Sequence, residues 1–165
     1  MLKIELVLVR IFRIFIGISF AVLIAAVLVQ VVWRSIGSSP IWTEELSRYG
    51  LLYVAAIGAG LSLRSGDLVN VDVICEAFGE KWSWRFRLMS AVFTAAMCLV
   101  LFVPAWRFVA IGKLQTSPAM GVQMTYIHFS VFALLIVLFL FSGLRVAGML
   151  FYGKSGRPLS AQKLP

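Results

Sequence analysis

Four long apolar stretches dominate the chain, and charge is confined to their ends. Ile14 to Trp33, Leu88 to Trp106 and Leu114 to Leu144 contain no charged residue, and Leu46 to Leu63 contains one, Arg48. About 30 Å of hydrocarbon divided by a rise of about 1.5 Å per residue asks for about 20 apolar residues per helical crossing. The pattern therefore predicts four transmembrane helices, at about 14–33, 46–63, 88–106 and 122–144, with the first third of the fourth run outside the hydrocarbon. A different pattern separates the second and third spans. Val71, Ile74, Cys75, Phe78 and Trp82 recur at helical spacing on one face, and Asp72, Glu76 and Glu80 on another. This reads as an amphipathic interfacial helix at about 70–84, with Trp82 and Trp84 at head-group depth. A polar hinge is the other reading, since Gly79 weakens a helix there. The segment Lys3 to Arg13 has a similar interfacial character. The tail at about 153–165 is polar, contains Gly and Pro, and is expected to be disordered.

Punctuation refines these boundaries. Ser39-Pro40 and Ser117-Pro118 each match an N-cap followed by proline at the first helical position, ahead of spans two and four. Pro104 lies inside span three, where it removes a backbone donor and should kink or end the helix. The first span follows Lys3, Arg10 and Arg13 as a signal peptide would. Its apolar run is too long for a signal sequence and no clear cleavage site ends it, so a retained helix is expected.

Composition agrees with this outline. The 165 residues are 61% hydrophobic and 13% charged, too apolar for a soluble domain of this size. The expected fold class is an all-α integral membrane protein, one membrane domain over residues 1–165. The longest connection, Arg64 to Arg87, is too small to hold a core of its own. With the N-terminus inside, eleven Lys and Arg fall on the cytoplasmic side and four (Arg34, Arg48, Arg107 and Lys113) on the other. That bias places both termini in the cytoplasm. It also makes the net charge of +8 a topology signal with some affinity for anionic lipid. The basic residues are scattered over separate loops, which argues against a nucleic-acid partner. Cys75 and Cys98 form no C-x-x-C pair and read as packing residues.

The residues with most chemical interest open span two, in Trp42-Thr43-Glu44-Glu45-Leu46-Ser47-Arg48. On a helix beginning near Pro40, Glu44 and Arg48 are four apart in the favourable order for an intrahelical pair. Glu45 points about 100° away and needs water, a lipid amine or a basic residue of a partner. The three charges are either solvated at the membrane edge or in contact with another subunit or a lipid head group. Within span two, Ala56 with Gly60, Ala55 with Ala59 and Gly58 with Ser62 are small-x-x-x-small pairs, which let helix backbones approach closely in lipid. Both intramolecular packing and contact with a partner satisfy that pattern. His128 is the only histidine and reads as a packing residue; a bis-His haem site needs two. No Asp or Glu falls within spans one, three or four, so the sequence offers no intramembrane proton relay. It contains no Walker loop, nucleophile elbow or H-E-x-x-H motif, and no metal or cofactor site is expected.

Three motifs in this order, among four spans, resemble the small membrane subunit (DctQ type) of tripartite ATP-independent periplasmic, or TRAP, transporters. Trp42-Thr43-Glu44-Glu45-Leu46-Ser47-Arg48 is similar to that family's W-x-E-E-L-x-R entry to the second helix. Gly58 to Arg64-Ser65-Gly66, followed by Val69-Asn70-Val71-Asp72, resembles its G-x-x-x-x-x-R-x-G-x-H-x-x-V-D run, with Leu68 where His is common. Gln115 to Val122 resembles the lead into the fourth helix, with Gln123 where Pro is common. The resemblance implies a non-catalytic subunit that braces a large membrane subunit in the bilayer and helps dock a periplasmic substrate-binding protein. Sodium and substrate, an organic acid such as a dicarboxylate, sialic acid or sugar acid, would bind those partners. Trp42, Glu44, Glu45, Arg48, Ala56, Gly60, Arg64 and Asp72 are then candidates for contact with a subunit or with phospholipid. A self-sufficient homo-oligomeric transporter or channel is the main alternative. It needs a charged residue facing a pore, and Arg48 comes nearest. A membrane enzyme or electron-transfer subunit lacks ligands and nucleophiles.

Overall fold

A computed structural model of the chain describes residues 2–38, 40–65 and 80–151. These residues are helical throughout, apart from short connections. Helix α1 spans Leu2–Ser35, α2 Ile41–Ser65, α3 Glu80–Ile111 and α4 Met124–Phe151, with a short 3-10 turn at Gly112–Leu114 after α3. Four stretches are long and apolar enough to cross a membrane: Val7–Ser35, Ile41–Arg64, Trp84–Leu114 and Met124–Phe151.

The helices outrun the apolar runs that predict them. At 34 residues α1 is about 51 Å long, well beyond the hydrocarbon thickness. Lys and Arg are good helix formers and nothing breaks the chain between Leu2 and Ser35, so Arg10 and Arg13 continue the same helix. The expected separate interfacial stretch at Lys3 to Arg13 is thus the first part of α1. Its end is a Schellman motif. Ser38 N–H donates to Trp33 O at 3.2 Å and Gly37 N–H to Arg34 O at 3.2 Å. Gly37, at φ +88°, supplies the left-handed residue the motif requires. Helix α3 continues seven residues beyond Pro104, so this proline does not terminate it. Of the interfacial helix expected at about 70–84, residues 80–84 are the first turn of α3, and the rest lies outside the described residues, as do Ser39, Asp72 and the tail.

The distribution of burial is that of a protein in lipid. In the most apolar window of α1 only 6% is buried, and Ile14, Phe15, Ile18 and Phe20 are each at least half exposed. A water-soluble protein does not leave such a surface open. Three hydroxyls within the membrane-length helices are satisfied by carbonyls of their own helix. Ser47 Oγ donates to Thr43 O at 2.8 Å, Thr94 Oγ1 to Ser90 O at 2.9 Å, and Ser142 Oγ to Phe139 O at 3.1 Å. This removes the several kcal/mol that a bare polar group costs in hydrocarbon.

The described residues gather into two compact units, one within Met1–Gly58 and Pro104–Ala133, the other within Ala59–Val103 and Leu134–Pro165. In the first, Gly50 of α2 lies against Leu23 of α1, where an added Cβ would sit 3.4 Å from the Leu23 Cβ. Gly112 meets the backbone of Thr125, with 2.5 Å from a built Cβ to the Thr125 nitrogen. In the second, Phe102 of α3 packs edge-on against Phe139 of α4 at 5.7 Å between centroids, and Gly60 of α2 receives Val137 of α4.

Candidate functional site

Helix α2 opens at Ile41, directly after Pro40. The carbonyl of Pro40 accepts the Thr43 N–H at 3.2 Å and the Thr43 hydroxyl at 2.7 Å, and Thr43 is fully buried. This anchored first turn sets the direction of the charged residues that follow. Glu44 and Arg48 point outward as a pair, with Arg48 Nη2 at 3.0 Å from Glu44 Oε1 and both side chains about two-thirds exposed. The intrahelical pair expected from their spacing is therefore present. In water such a pair contributes only a few tenths of a kcal/mol. The outward face continues through Leu51 and Ala55, both exposed, to Gly58, around which an added Cβ would meet nothing within 4 Å.

Glu45 turns the other way and has a partner that the sequence reading did not supply. The hydroxyl of Ser117 donates to its Oε2, and the Ala119 N–H donates to its Oε1 at 3.3 Å. The carboxylate thus stitches the start of α2 to the connection between α3 and α4, 72 residues away. That connection is a tight hairpin. Ser117 N–H donates to Val122 O at 2.8 Å, Gly121 N–H to Ser117 O at 3.0 Å, and Met124 N–H to Gln115 O at 3.0 Å. Gly121, at φ +64°, permits the reversal. Here the expectation drawn from Ser117-Pro118 is corrected: these residues do not start the fourth helix, which begins at Met124. The Ser117 hydroxyl instead accepts the Met120 N–H at 3.2 Å, capping the loop's own turn, and gives its proton to Glu45.

Two more contacts fix the same end of this unit. The Tyr53 hydroxyl donates to the carbonyl of Tyr126. His128 stacks on Phe108 at 3.9 Å between centroids, with Nδ1 3.0 Å from the Phe108 carbonyl. A carbonyl only accepts, so Nδ1 carries the proton, and His128 serves packing as expected. Neither contact was legible beforehand. For the Glu45 clamp, the one available signal was a serine beside turn amides at Ser117–Met120, a donor set suited to a carboxylate.

The remaining candidates are spread along α2. Trp42 is 43% exposed and, with Trp33, Ser38 and Pro40, lines a shallow hollow of about 330 Å³. Ala56 and Gly60 are buried. A Cβ on Gly60 would lie 2.0 Å from Val137 Cγ1, so this glycine serves close packing within the chain. Arg64 is half-buried in the last turn of α2 and is engaged. Among the described residues no group of three His, Cys, Asp or Glu side chains could hold a metal ion. The first unit thus holds an outward ion pair and an inward carboxylate clamp, and the second a close helix crossing.

No curated protein matches the chain. The sequence pattern of tripartite ATP-independent periplasmic transporters, DctQ component, matches residues 23–151, a range that contains the outward pair, the Glu45 clamp, the hairpin and all of α2 to α4. With four helices of membrane-crossing length among the described residues and a family match over most of its length, the chain belongs to the DctQ family, the small membrane component of TRAP transporters.

Proposed function

We propose that the chain is the non-catalytic small permease subunit of a sodium-coupled TRAP transporter for organic acids. The family makes it a transport component with a large membrane subunit and a binding protein as companions. The finer reading rests on where the acids lie. All seven Asp and Glu fall at positions 5, 44, 45, 67, 72, 76 and 80, outside the apolar centres of the spans. Carboxylates suited to coordinating sodium or relaying protons at mid-membrane are therefore expected in the large subunit. This chain braces that subunit against the bilayer.

The charge bias puts both termini in the cytoplasm. The Glu45 clamp and the Gln115–Gln123 hairpin then face the periplasm, where a binding protein carrying a dicarboxylate, sialic acid or sugar acid arrives. Rigid presentation of that end favours docking. The Glu44–Arg48 pair lies on the exposed face of the same helix turn, available to the large subunit or to a phospholipid.

Purification in mild detergent tests the proposal. The tagged chain should bring down one much larger many-span membrane protein, and liposomes holding both should take up an organic acid only with sodium and a binding protein. Recovery of a homo-oligomer that transports alone overturns the reading and favours the channel alternative. A cysteine placed at Leu114, which is 87% exposed, should react with an impermeant maleimide from the periplasmic side; reaction from the cytoplasmic side alone reverses the topology.

A further inference from the structure

The cytoplasm-proximal end of α3 carries an arrangement that the transport reading leaves unused. The Arg85 guanidinium carbon sits 5.6 Å from the centroid of the Trp82 ring. Trp82 in turn lies 6.2 Å from Phe86. Arg85 is exposed and forms no ion pair among the described residues. Trp82, Phe86, Met89 and Phe93 follow at steps of four, three and four residues. They form one continuous stripe, exposed by 57%, 42%, 67% and 68%.

Depth gives the stripe a polarity. The uncharged run Leu88 to Trp106 is 19 residues, about 28 Å of helix, close to the hydrocarbon thickness. Arg85 is three residues outside it, about 4.5 Å beyond the hydrocarbon edge. The interfacial layer is about 5–7 Å thick on each side, so Arg85 stands at the level of lipid phosphates. Met89 and Phe93 stand at the level of the acyl chains. Stacking on an indole face restrains the guanidinium while leaving its N–H edge free to donate in a fork, a geometry that suits a phosphate.

We infer that Arg85, Trp82 and the stripe Phe86–Met89–Phe93 form a site for one anionic phospholipid, phosphate on the Arg85 edge and an acyl chain along the stripe. The positive charge selects an anionic head group. The aromatic and thioether side chains accept a chain without competing polar demands. The site does not depend on the partner set proposed above.

Native mass spectrometry of the full chain, purified with its membrane partner where one accompanies it, tests the site. The probes are phosphatidylglycerol, phosphatidylcholine and inorganic phosphate. Phosphatidylglycerol should stay bound at activation energies that strip phosphatidylcholine, and inorganic phosphate should not displace it. R85Q should weaken phosphatidylglycerol retention about fivefold, equivalent to the roughly 1 kcal/mol one basic residue contributes beside an anionic surface. R107Q, at the other end of α3, should leave it unchanged. W82L keeps the charge and removes the stacking platform. It should weaken retention by a smaller factor, and it supplies the test if R85Q fails to accumulate. Equal retention of the two lipids, equal loss in R85Q and R107Q, unaltered retention in W82L, or displacement by inorganic phosphate overturns the inference.

Discussion

Replacing Gly60 with alanine tests whether the small-residue stripe of α2 serves the chain itself. A methyl at position 60 would lie 2.0 Å from Val137 Cγ1 and 3.0 Å from Val137 Cβ. Carbon atoms prefer about 3.5–4.0 Å, so the clash is at least about 1.5 Å at the nearest pair. Val137 is 2% exposed and, being β-branched in a helix, has one strongly favoured rotamer. It cannot swing aside cheaply. Overpacking of this kind costs about 1–3 kcal/mol, and the better helix propensity of alanine returns up to about 1 kcal/mol. G60A should therefore lose about 1–2 kcal/mol. V137A should also destabilise, because it leaves a void beside the glycine. In the double variant the new methyl occupies the space the valine vacated, so G60A/V137A should be more stable than the sum of the singles by at least about 1 kcal/mol. Reversible unfolding in mixed micelles, followed by circular dichroism, measures the cycle. Additivity within about 0.5 kcal/mol would refute the α2–α4 crossing as described. Loss of the large partner from G60A with unchanged stability would move Gly60 to a subunit interface.

Other outcomes follow from the same geometry. G112A should destabilise more than G60A, because the obstruction is the Thr125 backbone at 2.5 Å rather than a side chain; equal melting temperatures would contradict this. G58A, which meets nothing within 4 Å, should be neutral or stabilising by up to about 1 kcal/mol in thermal unfolding of the isolated chain. A loss of stability there would place hidden packing at that face. E45Q and S117A should each weaken the hairpin clamp and speed hydrogen exchange at the Ala119 and Met120 amides, an effect that E44Q should lack. Indistinguishable exchange in E45Q and E44Q would show that the clamp does not hold the loop. E44Q/R48Q should leave the stability of the isolated chain within about 0.5 kcal/mol and lower the yield of its complex with the large subunit. Unchanged yield would remove the outward pair from that interface.

The helices were legible because the bilayer imposes a length that the sequence must meet, and runs such as Ile14 to Trp33 meet it. Their true ends were not, because a helix does not stop where hydrophobicity does. Glu80 to Arg87 are polar enough to leave the hydrocarbon yet extend α3 without a break. The Glu44–Arg48 pair was legible because it is local, four residues on one helix. Glu45 was not, since its donors lie far along the chain and Ser117-Pro118 imitates a helix start. What distinguishes that dipeptide from a cap is Gly121, which allows the backbone to turn back before any helix begins. Gly60 does sit in close packing, but spacing alone does not say whose helix meets it; Val137 does.

The separation of Glu45 from Ser117 bears on how the subunit is made. Ribosomes add about 5–20 residues per second, so the 72 residues between them take about 4–14 seconds to synthesise. During that interval α2 is already long enough to enter the bilayer, while its carboxylate has no serine to meet. The start of α2 is fastened on this side only when the connection ahead of α4 emerges. A nascent chain interrupted after α3 would lack the clamp and leave the Glu45 carboxylate without its two donors.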